Sequence, residues 1–102
     1  MFTLSLNGNV YASQHPSEPS GKIAPLFHHL DFAREHQSHT NPADGWEITP
    51  VPELEPWLEY LLARDFTHFY EVETSNGGGT HEIKQRLAFI RSWRHGRQVL
   101  GG

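Results

Sequence analysis

The chain contains no cysteine, and for a fold of 102 residues that absence sets most of the terms. It rules out a disulfide framework, a thiolate nucleophile and every cysteine-ligated metal site. The fold must be held by packing, with about two-thirds of the unfolded surface buried at this length. Aromatic residues supply the bulk for it. Six Phe, three Trp and three Tyr can each bury about 150–250 Å². Length and composition point to one domain over residues 1–102.

Local patterns divide the chain into six elements. Phe2, Leu4 and Leu6 alternate with Thr3 and Ser5, and Asn7-Gly8 suits a two-residue type I′ turn. Residues 2–12 therefore read as a β-hairpin. Two prolines and a glycine make residues 13–24 a loop. Pro25 fits the first turn of a helix, and Leu26, Leu30 and Ala33 recur at helical spacing, so a helix is expected over 25–37. A second long loop covers 38–52, pinned by Trp46 and Ile48, around which there is room for a short strand. Trp57, Leu58, Leu61 and Leu62 mark a helix over 53–65. Phe66 to Thr74 reads as a strand with Phe66, His68, Tyr70 and Val72 on one face and Glu71 and Glu73 on the other. Ser75 to Gly79 breaks it. Ile83, Leu87 and Ile90 form the stripe of a third helix over 80–95, widened by Phe89 and Trp93, with Gly96 as its stop. The expected fold is α+β. Its N-terminal hairpin and third strand form a small antiparallel or mixed sheet, packed on one face by about three helices in the order β-β-α-α-β-α.

Charge is divided unevenly. Residues 1–80 hold three basic and eleven acidic side chains, a formal −8; residues 81–102 hold five basic and one acidic, a formal +4. The N-terminus lacks a basic region and a long apolar run, so no signal peptide is expected. No stretch approaches about 20 apolar residues. A cytoplasmic location without membrane insertion follows as the expectation.

Several constellations carry candidate chemistry. Asp31, Glu35 and His39 stand at i, i+4 steps on the polar face of the first helix and are an alternative metal site, against the plainer reading of a solvated helix. His81-Glu82-Ile83-Lys84-Gln85 echoes the HExxH metalloprotease motif, but Gln85 replaces the second ligand, and the motif is rejected. Strand, then Asn76, Gly77, Gly78, Gly79 and Thr80, then helix is the general layout of an anion site, in which glycine amides approach a phosphate. It lacks the Lys-Ser/Thr of a P-loop and the glycine spacing of a dinucleotide fold. His68, Glu71 and His81 would be its acid–base groups. Lys84, Arg86, Arg91, Arg94 and Arg97 give the last helix a basic footprint that suits nucleic acid, an acidic partner, or glutamates within the fold. Paired Glu71 and Glu73 are expected to face solvent. Gly101-Gly102 matches the ending of ubiquitin-like carriers, but the preceding helix and the lack of a last strand favour a frayed end.

The first functional expectation is a small non-enzymatic interaction or regulatory module that docks a protein partner. Trp46, Arg91, Arg94 and Arg97 are the contact candidates, because Trp and Arg dominate interface energetics. Two alternatives stand beside it: an anionic-ligand binder or enzyme using residues 76–80, and nucleic-acid binding through the basic helix. No cofactor is expected.

Overall fold

The computed structural model describes the backbone of residues 1–101 and the side chains of residues 1–96. It contains seven strands in one mixed sheet and three α-helices, so the class is α+β. The strands are β1 (Phe2–Leu6), β2 (Asn9–Val10), β3 (Ser13–Gln14), β4 (Lys22–Phe27), β5 (Glu47–Pro50), β6 (His68–Thr74) and β7 (Gly77–Glu82). The helices are α1 (Leu30–Ser38), α2 (Leu54–Ala63) and α3 (Ile83–Gly101), with a short 3₁₀ turn at Pro42–Asp44. The main path through the sheet is β2-β1-β4-β6-β7; β3 also pairs with β4, and β5 with β1. β4 and β6 run parallel, and every other pair is antiparallel.

β1 and β2 pair through a turn at Asn7 and Gly8, both with positive φ (52° and 81°). That conformation lets a two-residue connection follow the strands' twist. The return arm is only two residues long. Beyond it Tyr11 donates its backbone N–H to Leu4 O.

The largest departure from the sequence reading lies at residues 22–37. Lys22–Phe27 is a strand, and the helix begins at Leu30. Ile23 to Phe27 are all buried. A strand covered on both faces has an unbroken apolar run, which periodicity alone does not separate from a helix. Pro25 is tolerated because β3 and β1 pair with β4 only on either side of it, at Ile23 and Phe27. Its carbonyl accepts a hydrogen bond from Thr3 Oγ1 at 2.7 Å.

Helices cover both faces of the sheet, not one. Ala24, Leu26 and Phe69 pack with Leu58 and Leu61 of α2 and Ile83 and Leu87 of α3. On the opposite face Leu4 and Phe27 pack with Ala33 of α1. Each large apolar side chain fully buried this way contributes about 1.5–3 kcal/mol. α2 carries Pro56 in its first turn, where backbone N–H groups have no partner within the helix to lose. After Arg64, Asp65 takes a left-handed φ of 65° and the chain turns into β6.

The glycine segment is also corrected. Gly77 to Gly79 do not form a loop leading into a helix. They are the first half of β7, with Gly79 opposite Glu71 and Gly78 opposite Val72. α3 begins at Ile83, whose N–H is bonded to Thr67 O. Gly96 does not end α3, which continues to Gly101.

Candidate functional site

Two parallel strands, β4 and β6, end side by side, and the region beyond the carboxyl ends of such strands is where α/β sheets place their ligands. His28 follows the last residue of β4, and its N–H bonds to Val72 O at 3.0 Å. Glu71 lies on β6 on the same face as Phe69. The residue is 8% exposed. Its Oε2 is 2.7 Å from His28 Nε2, a hydrogen bond, and its Oε1 is 3.1 Å from His81 Nε2. Glu73 Oε1 is 4.0 Å from His28 Nε2. The His81 ring lies against Phe69, with centroids 5.1 Å apart.

A buried carboxylate is costly unless charged or hydrogen-bonded partners compensate it. Glu71 is held between two imidazoles, so the arrangement can share protons or receive a cation. The register of β6 and β7 shifts between Val72 and Thr74, leaving Glu73 without a partner across the ladder. Bulges of this kind re-aim side chains beside functional sites. The expectation that Glu71 and Glu73 both face solvent is therefore corrected for Glu71. The missed signal was Phe69: a strand that buries this phenylalanine must turn Glu71, two residues on, to the same side.

The other candidate residues are dispersed. Asp31 and Glu35 lie on α1, and His39 is its C-cap. Among the described residues, these three do not form a group whose ligand atoms all lie within 4.8 Å of one another; His28, Glu71 and Glu73 do, as do His15, Glu18 and His68. Trp46 is half-buried edge-on to Tyr11, 4.9 Å between centroids, and its carbonyl accepts from Gln37 Nε2. Arg91 pairs with Glu59 and approaches Glu55 at 3.7 Å, while Arg94 Nη1 is 2.6 Å from Glu55 Oε2, close in distance but not aligned as a hydrogen bond. These two arginines thus bind α3 to α2. The Arg97 side chain and Gly102 lie outside the described residues, and so does the side-chain surrounding of Gly101.

Phe89 and Trp93 are not core residues. They are 60% and 54% exposed, one turn apart on α3, and the Arg86 guanidinium stands 5.6 Å from the Phe89 ring. Arg86 and Phe89 also border a groove of about 260 Å³ beside β7, with Thr80, His81 and Gln85. A second groove, about 450 Å³ and mainly apolar, lies between β1 and α2 and is lined by Val10, Val51, Pro56, Trp57 and Tyr60. Nothing in the sequence reading anticipated it, because its walls come from segments distant in the chain.

Burial lowers the pKa of His36 below its ordinary value, and the neighbouring charge of His39 adds to the effect. Among the described residues, no helix is long and apolar enough to cross a membrane. Comparison with protein-family models, curated proteins and solved structures gives no match for this chain.

Proposed function

We propose that the chain is a non-enzymatic interaction module that docks a protein partner through α3. The observation that supports this reading is the exposure of Phe89 and Trp93 on one stripe of that helix, with Arg86 beside Phe89. Large exposed aromatics together with arginine are the residue types that concentrate binding energy at interfaces. Charge defines the partner's chemistry. Arg86 stands beside Phe89, so the complementary surface is an apolar pocket with a carboxylate at its rim. Arg91 and Arg94 are already balanced by Glu55 and Glu59, which moves the contact from the arginines to the aromatic stripe.

The test compares the wild-type chain with Phe89→Ser/Trp93→Ser as bait in native lysate, with and without nuclease. A protein retained by the wild type and lost by the variant, with the variant's melting temperature unchanged, supports the reading. Equal retention by both overturns it. Retention that vanishes with nuclease instead identifies nucleic acid as the occupant.

One observation favours a second reading, an anionic ligand near residues 76–80. Thr80 borders the groove beside β7 together with His81 and Arg86, and Arg86 Nε is buried without a hydrogen-bond partner. A thermal-shift panel of phosphate, nucleotides and CoA tests it, since a ligand at 100 times its Kd adds about 2.7 kcal/mol. No shift across the panel removes this reading.

A further inference from the structure

We propose that His28, Glu71 and Glu73 form a site for one divalent transition-metal ion of the zinc class, with His81 supporting the Glu71 carboxylate from its other side. The inference is independent of the docking reading.

The donor set is the first argument. One imidazole nitrogen and two carboxylate oxygens lie within 4.8 Å of one another. An ion bonded to each at about 2.0–2.2 Å would sit among them after small side-chain rotations. Imidazole suits zinc, copper, iron or nickel, whereas magnesium and calcium take oxygen ligands. Three protein ligands with one exposed side is the pattern of a site that keeps a position open for water or substrate. Glu73 provides that side, with its side chain 62% exposed, whereas that of Glu71 is 11% exposed.

The support around the donors is the second argument. His81 Nε2 stands 3.1 Å from Glu71 Oε1, while Oε2 faces His28. One carboxylate oxygen is thereby directed to the ion and the other is held by a neighbouring ring. Such outer partners orient metal ligands and tune their basicity. Two backbone features adjoin the donors. Gly78 lies so close to Glu71 that a Cβ there would stand 1.6 Å from the Glu71 carbonyl oxygen, and the bulge at Glu73 breaks the ladder next to the donors.

The rival cluster, His15, Glu18 and His68, is set aside on chemical grounds. His15 Nδ1 accepts hydrogen bonds from the backbone N–H groups of Ser17 and Glu18 at 3.0 and 3.2 Å. A neutral imidazole has a single lone pair, so His15 cannot accept there and ligate through Nε2 at once.

The experiment uses tag-free, chelator-treated protein titrated with Co²⁺, followed by visible absorption, and then with Zn²⁺ in competition. The expected result is saturation at one equivalent, lost in His28→Gln and in Glu73→Gln. Glu73 is exposed, so its variant keeps the fold, and a melting curve checks this. His81→Gln lowers affinity by about 10–100-fold, and His68→Ala leaves it unchanged. Absence of saturable binding to the wild type overturns the proposal. So does binding that survives both His28→Gln and Glu73→Gln, or that is lost in His68→Ala.

Discussion

His28 Nε2, one residue past the end of β4, stands 2.7 Å from Oε2 of Glu71, which lies opposite Leu26 on the parallel strand β6. Their sequence positions are 43 apart, and only the β4–β6 pairing brings them together. Glu71 shares its sheet face with the core residue Phe69, so its carboxylate depends on His28 and His81 for compensation. Removing it leaves two partly exposed rings that water can solvate in part. Glu71→Ala is therefore expected to destabilise the fold by about 1–3 kcal/mol, and Glu71→Gln by about 1 kcal/mol. Urea unfolding measures both; an unchanged midpoint for Glu71→Ala would show that the contacts contribute nothing.

Two glycines should respond in opposite directions. A Cβ at Gly78 meets the backbone of Glu71 and Val72 at 1.6 to 2.9 Å, and backbone does not yield as a side chain does. Gly78→Ala should cost more than about 3 kcal/mol or break the β6–β7 pairing. At Gly96 a Cβ meets nothing within 4 Å, inside a helix where alanine is favoured by about 0.8–1.0 kcal/mol. Gly96→Ala should raise the melting temperature; a fall would mean that α3 is not helical there.

His36 makes stability depend on pH. Its ring packs against Phe27 and Tyr11, with centroids 5.4 and 5.6 Å away, and burial holds its pKa below 6.5. Above pH 6.5 the ring is neutral in both states and contributes no pH dependence. As pH falls below 6.5, the unfolded chain binds the proton first, and stability is lost until the folded pKa is passed. His36→Gln should flatten the decline in melting temperature between about pH 7 and pH 5. Identical profiles for the two proteins would contradict this assignment.

Phe89 and Trp93 should matter little to folding. Replacing both with serine should change stability by less than about 1 kcal/mol, as for exposed positions. A loss of several kcal/mol in chemical unfolding would place them in the core and remove the basis of the docking reading.

The α+β class and the need for a mixed or antiparallel sheet were legible because they rest on local signals. Leu58 and Leu61 recur on one helical face, Ile83 and Leu87 on another, and all four are buried. The strand at residues 22–27 was not legible. Its buried run lacks the alternation that marks a half-exposed strand, and Pro25 resembles a helix start. Gly77 to Gly79 were misleading for a different reason: glycine signals a break in isolation, yet here Gly78 allows two strands to approach where a side chain would collide.

The same division holds for function. The sequence by itself determined the residue inventory: no thiol chemistry, many imidazoles, an acidic body and a basic last helix. It also determined the turn at Asn7-Gly8 and the stripes of α2 and α3, because these depend on neighbours a few residues away. Tertiary structure alone decided which charges meet. Arg91 and Arg94 were assigned to glutamates of α2, Glu71 was turned inward between His28 and His81, and Phe89 and Trp93 were left outside. Those outcomes depend on strand pairing and helix placement between distant segments, which no local pattern encodes.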